Sequence, residues 1–198
     1  LPQADILVTN AFWAPLLVRD SSRGALYVHV GRYPKGQMKF YGLAKRLQAP
    51  SEAITEAIRC EAPSKADLVK TISYPLSWDL VEPAPINESR EQTILYLGRI
   101  HPEKGLRELV KAFAGLPEEL LKQWRLNIRG PWKVSEGGGG EGFLENLKDL
   151  VGPAKGAIRF LNPVFDDVQL RDELGRASLF VYPSMAERGE TFGLAALE

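Results

Sequence analysis

Short apolar runs alternate with segments of helical spacing along most of this chain, and that alternation restricts the fold more than any other feature. Ile6–Thr9 reads as a strand, and Ala25–Val30 as a stronger one with β-branched and aromatic bias. Helical spacing follows over 36–47 and again over Glu52–Arg59, where Ser51 supplies an N-cap, before a strand at Val69–Ile72. After residue 92 the pattern is clearer. Ile94–Leu97 is a continuous apolar run, as in a strand buried on both faces. Leu106, Leu109, Val110 and Phe113 then mark one face of a helix. Strand 126–128, helix 141–151, strand 158–161, helix 167–176 and strand 179–182 follow, and a further helix opens at Gly193. Strands separated by helices give a parallel sheet covered by helices. The predicted class is α/β, with two doubly wound, Rossmann-like sheets.

Residues 75–92 break the pattern. Pro75, Pro83 and Pro85 crowd among polar residues and no periodicity survives, so this stretch reads as a linker between a domain at 1–74 and one at 93–198. The 198 residues allow one to one and a half domains at about 150 residues each. The first residue is not Met and the last helix has no stop signal, so an internal piece of a longer polypeptide is expected. Twenty-five Lys and Arg balance twenty-five Asp and Glu, which argues against a protein built to grip nucleic acid. Cys60 is the single cysteine, which excludes an intrachain disulfide framework and makes a reducing compartment the expectation. No apolar run approaches the ~20 residues of a membrane span, and Leu1–Asp5 lacks the pattern of a signal peptide. The four glycines 137–140 read as a flexible loop.

Three groups could carry chemistry. Gly98–Gly105 directly follows a buried strand and precedes a helix. Arg99 and Lys104 there place two cations near a helix start, where free N–H groups already favour an anion. Arg suits bidentate contact and Lys a point charge, a pairing that fits a diphosphate; a solvated loop with surface charges is the plain alternative. Glu190 and Glu198 bracket the helix opening at Gly193 and could grip separate hydroxyls of a sugar-bearing ligand, or be a helix-start acid and an unrelated surface acid. His29 ends a strand beside Gly31, as a structural residue or as one facing a ligand. His101 reads as solvated. A G-x-S-x-G elbow, a G-x-x-x-x-G-K-[ST] loop and a G-x-G-x-x-G after a strand are all missing, and two histidines with one cysteine argue against a protein-only zinc site.

Together these motifs resemble the retaining nucleotide-sugar glycosyltransferases of GT-B architecture, specifically glycosyltransferase family 4. The resemblance rests on Leu95-Tyr96-Leu97-Gly98-Arg99 with Lys104-Gly105-Leu106, on Phe180-Val181-Tyr182-Pro183-Ser184, and on Glu190 and Glu198 around Phe192-Gly193-Leu194, an E-x7-E pattern. It is strong over about 92–198 and weaker over 1–74. It implies that Gly98, Arg99 and Lys104 bind the donor diphosphate without a metal or other cofactor. Glu190 would be a catalytic residue contacting the donor sugar near the reacting carbon, Glu198 would hold the ribose, and the backbone amides of Phe192, Gly193 and Leu194 would meet the sugar or phosphate oxygens. Arg159, Phe160 and Leu161 would line the base pocket, and His29 would reach the donor sugar from the acceptor side as a catalytic residue. Retention of configuration, a UDP-linked donor and a sugar or lipid-linked hydroxyl acceptor in polysaccharide or glycoconjugate synthesis are the implied chemistry. A cytoplasmic location with peripheral contact at the inner face of the membrane is implied with it, and no nucleic acid partner. Pro75–Asp79 departs from the family's more common loop. A nucleotide-sugar-binding module without chemistry, and a nicotinamide dehydrogenase, are the competing readings; the missing glycine fingerprint counts against the second.

Overall fold

Two four-stranded sheets, every strand pair parallel, organise the computed structural model, which describes residues 3–75, 90–185 and 193–197. The chain divides into two compact units, one carrying each sheet.

The first unit holds β1 (Ile6–Thr9), β2 (Ala25–His29), β3 (Ala44–Ala49), α1 (Glu52–Glu61) and β4 (Val69–Thr71), with sheet order β1-β2-β3-β4. Its core gathers Leu26, Val28, Met38, Tyr41, Leu47, Ile54 and Ile58. The Ser51 cap is present: its side chain accepts from the Ile54 N–H at 3.4 Å. The helix expected over 36–47 is not. A 3-10 turn at Met38–Phe40 and strand β3 take its place. Met38, Tyr41 and Ala44 are spaced like one helix face and all are buried, but the backbone leaves the helical region at Tyr41, with φ −86° and ψ 50°. The ladders that β3 makes with both β2 and β4 outweigh the local preference of Lys45 and Arg46 for a helix. Trp13, Leu16 and Leu17 are exposed.

The second unit holds β5 (Glu91–Leu97), α2 (Leu106–Ala114), α3 (Glu118–Gln123), β6 (Arg125–Arg129), α4 (Glu141–Asp149), β7 (Ile158–Leu161), α5 (Asp167–Arg176) and β8 (Ala177–Phe180), with sheet order β7-β6-β5-β8; of the short α6 (Leu194–Leu197), Leu194 groups with the first unit and the rest with the second. Alternate residues of β5 serve two faces. Tyr96 packs with Leu106, Val110 and Phe113 of α2 and Leu144 and Leu147 of α4. Leu95 and Leu97 pack instead against Leu170 and Leu174 of α5. Glu91 and Gln92 already belong to β5, so the expected linker ends earlier than residue 92; residues 76–89 lie outside the described ones. Glu91 is fixed there by an ion pair with Arg176, and its carbonyl accepts from the Ser178 hydroxyl at 2.6 Å. That pairing also brings β8 forward to 177, two residues before its expected start. The helix at 141 stops at Asp149, because a 3-10 turn at Gly152–Ala154 carries Pro153.

Candidate functional site

Beyond the carboxyl ends of β5, β6 and β8, three loops of the second unit meet through their main chains. The Gly98 N–H donates to the Arg129 carbonyl at 3.1 Å and the Ile100 N–H to the Pro131 carbonyl at 2.9 Å, so the loops after β5 and β6 stay bonded. Gly130 has φ +156°, and a Cβ there would overlap the Gly98 carbonyl. Gly105, at φ +67°, is pressed against the Pro183 carbonyl of the β8 loop in the same way and opens α2. The Glu103 carbonyl accepts from the Met185 N–H at 3.0 Å and completes the junction.

Arg99 and Lys104 project from this junction in different ways. Arg99 is half-exposed; its Nη2 donates to Glu103 Oε1 at 2.7 Å and its Nη1 to the Gly137 carbonyl at 2.7 Å. Lys104 is 7% exposed, with Nζ 5.7 Å from the centre of the Tyr182 ring. A lysine this buried is held by its surroundings rather than solvated, which sets aside the reading of a loop with plain surface charges. His101, expected to be solvated, caps the turn at Pro102–Lys104: its Nδ1 accepts from the Glu103 N–H at 3.4 Å.

A cavity of about 260 Å³ opens beside Gly98 and Arg99, between Arg129, Gly130, Pro163, Val164 and Phe165. Arg129 is fixed at its wall by an ion pair to Glu173 at 2.6 Å and a bond to the Asn162 carbonyl at 2.6 Å. Arg159, Phe160 and Leu161 form β7 itself, with Phe160 packed on the core, and it is the loop after them that lines the cavity. Gly193, at φ +69°, directly precedes α6, whose first residue is Leu194. Glu190, Phe192 and Glu198 lie outside the described residues.

In the first unit, His29 ends β2 and its Nε2 lies 2.9 Å from Tyr74 Oη. Gly31 lets these two rings approach: a Cβ there would fall 2.9 Å from Tyr74 Oη and 3.0 Å from His29 Nε2. Both rings line a cavity of about 420 Å³ with Asn10, Arg32 and Tyr41. Tyr41 donates to the Phe12 carbonyl at 2.6 Å, and burial, with the nearby Glu61 carboxylate, pushes its phenol above the ordinary range.

Glu103, Gly137, Tyr74, Tyr182 and Phe165 were missed as site-building residues in the sequence reading. Glu103 left a local trace, four positions after Arg99, and Tyr182 and Gly137 show only as parts of a motif and of the glycine run. Among the described residues no three His, Cys, Asp or Glu side chains gather as a metal site. Also among them, no helix is long and apolar enough to cross a membrane.

The sequence pattern of the family described as "Glycosyl transferases group 1" matches residues 81–198. The chain belongs to this family. No curated protein matches the chain. Among solved structures, this member of the group 1 family is similar to the lipopolysaccharide outer core galactosyltransferase WaaB, with TM-score 0.69 and 18% identity over 98% of this chain and 53% of that one. It is similar to a sucrose-phosphate synthase from Thermosynechococcus elongatus, with TM-score 0.74 and 20% identity over 98% of this chain and 53% of that one. It is also similar to a UDP-forming α,α-trehalose-phosphate synthase from Burkholderia xenovorans, with TM-score 0.66 and 12% identity over 91% of this chain and 53% of that one. The chain therefore spans about half the length of these structures. The two parallel sheets are Rossmann-like units of the GT-B fold.

Proposed function

We propose that the chain is part of a retaining glycosyltransferase that moves a sugar from a nucleotide diphosphate, with UDP favoured, to a hydroxyl acceptor of a polysaccharide or glycoconjugate. In this reading residues 1–74 are the acceptor side and 93–198 the donor side. The observation that carries it is the loop after β5, which carries both Arg99 and buried Lys104, is braced by the loops after β6 and β8, and places Arg99 on the wall of a cavity. Ligands of open α/β sheets bind at such strand ends. As the sugar–phosphate bond breaks, negative charge grows on the departing diphosphate. Arg99 and Lys104 offer fixed positive charge where it develops, so the leaving group departs at lower cost. No cofactor is required for this role.

The cavity walls of Pro163, Val164 and Phe165 are apolar and suit the flat face of a base. Glu190 is assigned to the donor sugar, Glu198 to the ribose, and the amides at 192–194 to sugar or phosphate oxygens. His29, facing the cavity of the first unit, is assigned to the acceptor side. The similarity to a UDP-forming α,α-trehalose-phosphate synthase supports a UDP donor. Calorimetric titration of the chain with UDP, GDP, ADP and uridine, with and without EDTA, tests the reading. Saturable binding of UDP, unchanged by EDTA and at least about tenfold tighter than uridine, is expected. Equal affinity for UDP and uridine, or no binding of any nucleotide, overturns it.

A further inference from the structure

We propose that Glu103 is a positioning residue: with the Gly137 carbonyl, it sets the orientation in which Arg99 meets a phosphate-bearing ligand. The inference rests on the donor-side reading above and extends it to residues that reading does not use. An arginine on a loop samples many rotamers, and ordering it on binding subtracts from affinity. Here the planar guanidinium is held at two corners, by Glu103 Oε1 on Nη2 and by the Gly137 carbonyl on Nη1, both at 2.7 Å. Two bonded corners and the covalent link through Cδ fix the orientation of the planar group, and three of its five N–H donors are left for a ligand.

Both anchors are themselves fixed. Glu103 is bonded through its N–H to His101 Nδ1 and through its carbonyl to the Met185 N–H. Gly137 begins the glycine run, which is not the flexible loop expected from its composition. Gly138 donates to the Lys133 carbonyl at 2.9 Å, Gly139 to the Ile100 carbonyl at 2.8 Å and Gly140 to the Trp132 carbonyl at 2.7 Å. A Cβ on Gly138 would overlap the main chain of Trp132, and one on Gly139 would fall 2.9 Å from Pro102 Cδ. The run is packed between Trp132 of the β6 loop, against Gly138, and Arg99 and Pro102 of the β5 loop, against Gly137 and Gly139, and this packing aims the Gly137 carbonyl. Glu103 also brings a negative charge to a site read as anion-binding. That charge makes its role testable, since a competitor and a positioner have opposite effects on removal.

The test uses the 198-residue chain and its E103A, E103Q, R99A and R99A/E103A variants, with thermal melting to confirm folding. The heteronuclear NOE of the Arg99 Nε–H reads its order directly. It should match the backbone in the starting chain and in E103Q, which keeps an acceptor oxygen, and fall in E103A. E103A should bind UDP about tenfold more weakly with uridine unaffected, and should cost nothing further in the R99A background. An Arg99 as mobile in the starting chain as in E103A overturns the proposal. So does an E103A chain that binds UDP as well as, or better than, the starting chain. If Arg99 is ordered through Glu103 but UDP does not bind, the donor-side reading fails and takes the proposed role with it. If UDP binds tightly while Arg99 is mobile, only the role of Glu103 fails.

Discussion

The strand ends of the two units are built on different plans. In the second unit, three loops are locked main chain to main chain, with Gly105 and Gly130 leaving no room for a Cβ. In the first, the strand ends are bonded through the main chain as well, Val30 N–H to the Gln48 carbonyl at 2.8 Å, but the cavity they surround is walled by side-chain contacts, His29 to Tyr74 and Tyr41 to the Phe12 carbonyl. The difference teaches what each plan suits. Main-chain interlock holds charged groups at fixed spacing, as an anion with fixed oxygen positions requires. Side-chain walls can change by single substitutions without disturbing the sheet, as suits a surface that must match a variable partner.

The sharpest way to break this contrast is a paired glycine substitution. Gly130→Ala should cost about 3 kcal/mol or more, because the new Cβ meets a carbonyl at an unfavourable φ. Gly42→Ala in the first unit, with open space around its Cβ, should stay within about 0.5 kcal/mol. Melting temperatures of the two variants decide it, and equal losses would end the distinction. Next, Arg99→Ala should weaken UDP about 10- to 100-fold with uridine little changed, whereas His29→Ala should leave UDP affinity intact. Calorimetry on both variants would show whether the two cavities are separate in function. A smaller effect is expected from Tyr74→Phe, which removes the hydroxyl 2.9 Å from His29 and should cost about 1 kcal/mol in denaturant melts without altering UDP binding.

The smallest effect is a pH dependence of the first unit. The Tyr41 phenol has its pKa raised by burial and by Glu61, so its neutral form is favoured in the folded chain. The resulting stabilisation is complete below the unfolded tyrosine value of about 10 and is lost as pH rises through the higher folded value. Tyr41→Phe should flatten that alkaline loss, seen as a melting temperature that falls less steeply above about pH 10.

Local signals in the sequence were sufficient for much of this structure. β7 and α5 fall at their expected bounds, and Ser51 caps α1 as its residue type demands. The alternation of apolar runs foretold both sheets, because strands such as β5 and β6 bury apolar residues against helices close to them in sequence. The misread places depend on distance along the chain. β3 is a strand because β2 and β4 flank it, and nothing within 36–47 announces those neighbours. The partner of His29 lies 45 residues away, and the carbonyl that holds Arg99 lies 38 away. The glycine run was misread for the same reason, since four glycines look alike whether they face water or the main chain of Trp132.

The overlap at Gly130 and Gly105 has a consequence for how such a sequence can drift. In both cases the atom in the way is a main-chain carbonyl, at Gly98 and at Pro183. A crowding side chain can be trimmed by a second substitution elsewhere, but a peptide oxygen is present whatever residue stands there. These two positions therefore admit no compensating partner. They should stay glycine through changes of donor, acceptor or surface, for as long as the three loops keep their junction.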